Sequence, residues 1–334
     1  MRIPFEQARQ QLARVLMSRS CPADKAEKVA HEMARNSLEG IYTHGINRFA
    51  RLIRNIDEGI VDVHARVERL GGFGAIEHAD GHLGLGVVNA SECMDRAIQL
   101  AERYGIGLVT LRNTNHWMRA ATYGYQACER GMIGLCVTNT IPNMPTWGAT
   151  DSRLGNNPLM IAFPRAEGDL VVDMAMSQFS YGALELARLE GRRMPIDAGY
   201  SAEGQLTREP DEVIRSQRIL PTGYWKGAGL SFLLDMLAGC LSMGNTVAQI
   251  GRLPGDEHGV SQLFCAISLQ AAVPDGSWEE KMEAAVEDLL ASSPAPGTER
   301  IIYPGQQTQE IRRENLAKGI PVDEGVWNTI LSLG

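Results

Sequence analysis

Two histidines stand in surroundings that suit acid–base chemistry. His44 lies in Tyr42-Thr43-His44-Gly45-Ile46-Asn47-Arg48. Gly45 lets the backbone bend and expose the ring. Arg48 follows four residues on, at the start of an expected helix. An imidazole that titrates near neutrality beside a guanidinium suits a 2-oxo acid. The guanidinium takes the carboxylate in a two-point fork, and the imidazolium protonates the keto oxygen as hydride reaches the carbon. The same residues equally fit a loop histidine held by local hydrogen bonds. His116 lies in Asn113-Thr114-Asn115-His116-Trp117-Met118-Arg119, just after an expected strand ending at Leu111. A strand's C-terminal end opening into a polar loop is a common place for a site in α/β proteins. A helix cap or a buried loop histidine is the structural alternative.

Three further loops are compatible with ligands. Gly155-Asn156-Asn157-Pro158 makes a tight turn before a strand. Val172-Asp173-Met174-Ala175-Met176-Ser177 ends a strand on an acid and opens a helix with Ser177. Tyr224-Trp225-Lys226-Gly227-Ala228-Gly229 puts a cation and small residues at a helix start, where backbone N–H groups favour phosphate. Asp173 and Ser177 serve as well as helix caps, and Lys226 as surface charge.

An ordinary dinucleotide loop is not readable. Gly81-His82-Leu83-Gly84-Leu85-Gly86 precedes a good helix, but Asn89 stands where the third glycine belongs. The strand before it, residues 73–78, is short, and no acid follows at the ribose-binding distance. There is no phosphate loop of the Walker type and no Gly-x-Ser-x-Gly elbow. His78 and His82 have ligand spacing, yet Asp80-Gly81 between them reads as a turn, so no metal site is expected.

The elements that must carry these residues follow from periodicity. Ala26, Val29, Ala30, Met33, Ala34 and Leu38 recur at helical spacing, as do Phe49, Leu52, Ile53 and Ile56. From about residue 66 short apolar runs at 106–111, 132–139, 159–163 and 170–174 alternate with helices. Tyr104-Gly105 closes a helix. Residues 191–225 carry many Gly, Pro and charged residues and read as a long surface excursion with little core. A buried helix is expected at 230–241, a strand at 263–269, and helices at 278–292, 307–318 and 323–332. The pattern predicts an α/β (α+β) protein. Residues 1–65 with 275–334 would form a helical domain, and 66–274 an α/β domain.

Bulk properties exclude other classes. A net charge of −8 argues against a polyanion partner, which needs a basic surface, so no nucleic acid is expected. No run reaches the ~18 apolar residues of a membrane span. The six cysteines form no Cys-x-x-Cys pair, as in a reduced cytosolic protein. The N-terminus enters an amphipathic helix without a leader-like apolar core. A cytoplasmic location is the expectation.

Several stretches together resemble the malate/L-lactate dehydrogenase family of NAD(P)-dependent oxidoreductases, whose cofactor fold is not Rossmann. They are Tyr42 to Phe49, Asn115 to Arg119, Met144-Pro145-Thr146-Trp147-Gly148-Ala149, Asn157-Pro158-Leu159, Val172-Asp173-Met174, Phe179-Ser180-Tyr181-Gly182 and Gly223 to Gly227. The likeness runs from Phe5-Glu6-Gln7 to Val322-Asp323-Glu324. It implies His44 as proton donor, with Arg48 and His116 facing the substrate. It further implies cofactor contacts from Asp169, Leu170, Val171, Val172, Asp173, Met174 and Ala175, from Trp225 and Lys226, and from Gly305, Gln306 and Gln307. The implied fold is a non-Rossmann NAD-binding domain with a mixed or antiparallel sheet, plus a helical domain from both chain ends. The implied assembly is a homodimer with the site near the subunit boundary. The expected reaction is reduction of a small 2-oxo acid, foremost a 2,3-dioxo sugar acid, with NADH preferred and NADPH not excluded. Malate, lactate, ureidoglycolate or a cyclic imino acid are alternative substrates, and a catalytically silent NADH-binding protein is the alternative outside enzymes. Two departures stand out. Ala183 occupies the position where some members carry an acid that orients the catalytic histidine, and the stretch 165–170 holds one residue more than the family pattern.

Overall fold

The computed structural model describes residues 1–334. Its middle is organised by one seven-stranded mixed sheet. The strands are β1 (Glu68–Phe73), β2 (Ile76–Asp80), β3 (Ile106–Thr114), β4 (Met132–Thr138), β5 (Leu159–Phe163), β6 (Leu170–Met174) and β7 (Val260–Ser268). They lie in the order β1-β2-β3-β7-β4-β5-β6. Only β2 and β3 run parallel; all other neighbours are antiparallel. A dinucleotide fold of the ordinary kind needs parallel strands on both sides of a switch point, so this sheet cannot supply one. Composition sorts the strands. The central β7 is buried nearly throughout, while β1, with two glycines, sits exposed at one edge.

Helices cover both faces. On one lie α4 (Gly86–Tyr104) and α5 (Ala121–Cys128), packing Met94, Ile98, Tyr123 and Ala127 onto Leu111, Phe264 and Met160. Gly105 ends α4 in the left-handed region at φ 83°, as its position predicts. On the other face lie α6 (Tyr181–Leu189), α7 (Pro210–Ser216) and α8 (Trp225–Ser242). The stretch 191–225, expected as an excursion with little core, is instead packed. Ala198, Val213, Ile219 and Leu220 are fully buried. Its turn residues set short strands and a helix close together, so few apolar side chains suffice to seal it.

The chain ends meet. α1 (Phe5–Met17), α2 (Ala23–Leu38), α3 (Phe49–Asp57) and the last helix share one core, including Leu12, Met33, Phe49, Ile53, Trp327 and Ile330. Arg2–Ile3 pairs with Ile320–Pro321. The helix α9 (Trp278–Leu290) leans elsewhere: Trp278 packs edge-on against Phe163 of the sheet, and Glu283 pairs with Arg165. α10 (Gln306–Lys318) and α11 (Glu324–Ser332) complete the chain.

Candidate active site

His44 is held by the last turn of α2. After α2 the chain folds back through two short 3₁₀ turns, Tyr42–His44 and Ile46–Arg48. Asn36 donates its side-chain amide to the His44 carbonyl at 2.9 Å, and the Ile46 N–H donates to Ser37 Oγ at 2.9 Å. Gly45 is required by close approach rather than by a positive φ. A Cβ there would meet Ser37 Oγ at 2.2 Å and the Met33 carbonyl at 2.8 Å. The loop is therefore a packed element.

His116 is held just as firmly from the sheet side. Asn115 Nδ2 donates to the carbonyls of Leu83 at 2.6 Å and Gly84 at 3.1 Å. The Met118 N–H donates to His116 Nδ1 at 3.0 Å. That fixes a neutral ring with its proton on Nε2. The glycine-rich stretch before α4 serves this loop. A Cβ on Gly86 would lie 2.3 Å from the His116 carbonyl, so glycine permits contact with the loop, not with a phosphate.

The two imidazoles stack with centroids 5.6 Å apart and planes 24° from parallel. Thr43 Oγ1 lies 2.9 Å from His44 Nδ1. Thr43 is thus the partner of His44, where Ala183 offers nothing but its N–H to Ser180. Burial, then the nearby Arg48 and Arg119, push the His44 pKa down to about 4. Burial, then Arg48, push His116 well below the ordinary histidine range.

Arg48 lines a narrow cavity with Arg51, Asn55, Asn115, His116 and Glu257. Arg51 is neutralised by Asp256, with Nε to Oδ2 at 2.5 Å. Glu257 accepts the Ile141 N–H at 3.1 Å. Arg48 forms no ion pair of its own, and burial followed by Arg51 lowers its pKa. Glu257 and Asp256 act on it only from beyond ion-pair distance, so a largely buried guanidinium with no bonded carboxylate can take an anionic ligand. The side-chain oxygens of Asn55 and Asn115 are buried there without partners.

Behind the histidines lies a charged network. Arg119 pairs with Glu39, which also pairs with Arg35 at 3.0 Å. Arg119 and Arg35 both lie over the Tyr125 ring, at 5.5 and 5.1 Å. Asp173 Oδ2 lies 4.0 Å from Arg119 Nε and accepts the Ala121 N–H at 2.8 Å, capping α5. Burial raises the Asp173 pKa. Ser177, expected to open a helix, does not. Its hydroxyl donates to the Phe179 carbonyl, the segment pairs with Pro221, and Ser180 caps α6.

The residues implied as cofactor contacts converge on β6. This is the free edge of the sheet, with Val172 and Met174 turned outward, 40% and 38% exposed. Asp169, Leu170 and Val171 lie at its start. There the Val171 N–H donates to the Pro304 carbonyl at 3.0 Å, which seats Gly305, Gln306 and Gln307 beside the strand. Ala175 follows its end. From there Met176 accepts the Thr222 N–H at 2.8 Å, which brings Trp225 and Lys226, exposed at the start of α8, to the opposite end. Sequence reasoning missed Thr43, Glu39, Arg119, Asp256 and Glu257 as site residues. Only Thr43 and Arg119 carried a local signal, lying in the motifs of His44 and His116.

Comparison with known proteins agrees with this geometry. The family described as malate/L-lactate dehydrogenase matches residues 3–331. A 2,3-diketo-L-gulonate reductase from Citrobacter koseri is 44% identical over 333 residues, covering 100% of both chains. One from Escherichia coli O17:K52:H18 is likewise 44% identical over the full length of both. Among solved structures, malate dehydrogenase from Pyrococcus horikoshii superposes with a TM-score of 0.91 at 28% identity, covering 100% of this chain and 94% of that one. Sulfolactate dehydrogenase from Methanocaldococcus jannaschii does so with a TM-score of 0.93 at 26% identity, covering 100% and 96%.

Proposed function

This chain belongs to the malate/L-lactate dehydrogenase family of NAD(P)-dependent oxidoreductases, and on that premise we propose that it reduces 2,3-diketo-L-gulonate to 3-dehydro-L-gulonate. The observation that carries the reading is Arg48, an unpaired and largely buried guanidinium beside two stacked imidazoles. A 2-oxo acid satisfies every part of that arrangement. Its carboxylate takes the guanidinium fork. Its keto oxygen lies between His44 Nε2 and His116 Nε2. The orphan oxygens of Asn55 and Asn115 accept hydroxyl protons, as a sugar acid offers them.

His44 is the proton donor. As imidazolium it gives its Nδ1 proton to a hydrogen bond with Thr43 Oγ1 and its Nε2 proton to the keto oxygen. Transfer leaves a neutral ring still bound to Thr43. The free protein holds His44 neutral near pH 7. A carboxylate at Arg48 offsets one of the two cations that keep it so, and the ring gains basicity when the acid binds. His116, neutral, donates from Nε2 to the same oxygen as negative charge develops.

A nicotinamide dinucleotide fits the free edge of β6. Unpaired backbone groups and the outward Val172 and Met174 provide hydrogen bonds and an apolar bed. Leu170 to Ala175 would line the cofactor, with Asp169 and Gly305 to Gln307 at one end, and Trp225 and Lys226 at the other. When bound, its reduced ring supplies the hydride that the keto carbon receives. The protein's share is to orient the two partners and hold water away.

The partner we propose is a second copy of this chain, as the family implies. α8 carries large apolar residues on its outward side as well as on its inward one, where Ser231 and Asp235 are also buried. Ala228, Leu234 and Ala238 face the core, while Leu230, Phe232, Leu233 and Leu237 lie exposed. A helix of that kind is normally covered on all sides. No helix is long and apolar enough to cross a membrane, and all six cysteines are free. A cytoplasmic location belongs to the same proposal.

A matrix of oxo acids against NADH and NADPH, followed by nicotinamide absorbance, tests the reading. Diketogulonate should give the highest kcat/KM. Turnover of malate or lactate precursors in preference to it would overturn the substrate, and no turnover of any oxo acid would overturn the reaction.

A further inference from the structure

The first turn of α6 stands against the loop that carries His44. Thr43 is largely exposed, yet its methyl group is met by Gly182. A Cβ on Gly182 would lie 2.6 Å from Thr43 Cγ2 and 3.7 Å from Thr43 Cβ. Gly182 has no positive φ, so close approach, not backbone conformation, calls for glycine. Neither backbone is free to retreat. The turn of Thr43 and His44 is pinned to α2 by Asn36 and Ser37. α6 is capped by Ser180, whose Oγ accepts the Ala183 N–H at 3.1 Å, and it buries Leu184 and Ala187. Tyr181 Oη donates to the Asn143 carbonyl at 3.4 Å. An atom added at 182 is therefore cleared by turning Thr43 about χ1, the softest coordinate present. Threonine carries Cγ2 and Oγ1 on the same carbon, so that turn also takes Oγ1 from its place 2.9 Å from His44 Nδ1.

Resting on the proton-donor role proposed above for His44, we infer that Gly182 is a positioning residue for the reaction. It admits the Thr43 methyl group, which sets the Thr43 hydroxyl on His44 Nδ1 and keeps Nε2 turned toward the keto oxygen. The other restraints on His44 do not achieve this. Asn36 grips only its carbonyl, and the stack on His116 holds only the plane of the ring. Half a turn about χ2 keeps that plane but exchanges Nε2 with Cε1, which carries no proton to give. A bond at Nδ1 is what forbids the exchange. The partner is a hydroxyl, which makes the packing behind it matter. A carboxylate attracts an imidazolium from a range of positions, whereas a hydroxyl must keep its bond near about 3 Å and close to linear. α6 thus contributes space at Gly182 rather than charge at Ala183.

Suppression within the pair tests this on the full-length protein, with the oxo acid it turns over best and NADH. Gly182→Ala should lower kcat by about ten- to a hundredfold, the range of a small misplacement of a reacting group. KM for the oxo acid and the NADH Kd from titration calorimetry should hardly move, because Arg48 and the edge of β6 are untouched. Thr43→Ser drops Cγ2 and keeps Oγ, so alone it should stay near wild type. Added to Gly182→Ala, it should return kcat to the level of Thr43→Ser. Thr43→Val keeps the bulk and loses the bond. It should lose as much as Gly182→Ala, and the two together no more than either. A glycine needed only for the packing of α6 gives a loss that Thr43→Ser leaves in place, and that result overturns the inference. Wild-type kcat in Gly182→Ala or in Thr43→Val overturns it too. If Gly182→Ala alone does not fold by circular dichroism, the variant carrying both Gly182→Ala and Thr43→Ser decides: near the Thr43→Ser rate it supports the inference, and unfolded it overturns it. Wild-type kcat in His44→Ala overturns the proton donor itself, a failure distinct from these.

Discussion

His44 and His116 lie ring on ring, 5.6 Å between centroids, although they come from opposite parts of the fold. One is pinned to the last turn of α2, the other to the polar loop after β3. Each is kept neutral chiefly by burial, and Arg48 presses on both. A single anion at Arg48 therefore acts on both rings together. Binding of the acid and readiness to donate a proton are coupled through that one guanidinium.

Removing the donor separates binding from chemistry. Positioned general acids contribute ~10²–10⁴-fold. His44→Ala should lower kcat for oxo-acid reduction by about that factor, with NADH affinity nearly unchanged, because the ring lies beyond the strand that holds the dinucleotide. Steady-state kinetics beside NADH titration checks it. Wild-type turnover by His44→Ala would refute the assignment.

Arg48 should show a charge effect and a geometry effect. Arg48→Met removes a charge-assisted pair worth about 1.5–3 kcal/mol, so kcat/KM for the oxo acid should fall roughly ten- to a hundredfold. Arg48→Lys keeps the charge but loses the planar fork, and should recover only part of the loss. An Arg48→Lys enzyme equal to wild type would mean that no bidentate carboxylate sits there.

The low pKa of His44 sets the sign of the pH dependence. Reduction needs the imidazolium. In the free protein that form dominates only below about pH 4. kcat/KM for reduction should therefore fall about tenfold per pH unit as pH rises above that value. The break in kcat should lie at higher pH, because the bound carboxylate offsets Arg48. Arg119 is the other suppressing cation, so Arg119→Met should move both breaks upward. Profiles that do not move, with the fold intact by circular dichroism, would exclude Arg119 from this role.

Gly45 turns the packing of the loop into a measurable cost. A methyl group there would strike Ser37 Oγ and the Met33 carbonyl, both part of α2. Overpacking of this kind typically costs 1–3 kcal/mol. Gly45→Ala should lower the unfolding temperature and, by shifting His44, lower kcat as well. An unchanged melting curve would show that the loop yields without strain.

Local pattern carried much of the fold. The runs at 159–163 and 170–174 are strands with those same bounds, since Pro158, Pro164 and the turn around Gly168 leave few other ways to end them. Gly105 closed α4 as its spacing predicts. Long-range partners left no such trace. Glu39 and Arg119 are 80 residues apart, Arg51 and Asp256 are 205 apart, and nothing near either member names the other. The Gly81 to Gly86 stretch, which the sequence already excludes as an ordinary dinucleotide loop, has a packing reason instead: Gly86 admits the Asn115–His116 backbone, and Gly81 and Gly84 lie against Asn89. His44 and Arg48 were legible because reactive loop residues and a guanidinium four apart carry chemistry in their types alone.

The outward face of α8 makes the last prediction. Leu233 is 59% exposed, and Leu230, Phe232 and Leu237 stand beside it, whereas Asp235 on the opposite side is buried and accepts bonds from Asn139 and the Val247 N–H. The polar group inside and the apolar row outside are the reverse of what a helix exposed to water shows. A second copy of the chain covering that row removes the conflict. Leu233→Glu would place a charge in the row that the proposed second copy would cover. The wild type should elute as a dimer in size-exclusion chromatography with light scattering, and Leu233→Glu as a monomer with unchanged circular dichroism. Its unfolding temperature should fall and cease to depend on protein concentration, because association no longer adds to stability. A wild type that is monomeric at micromolar concentration would show that the row is exposed for another reason.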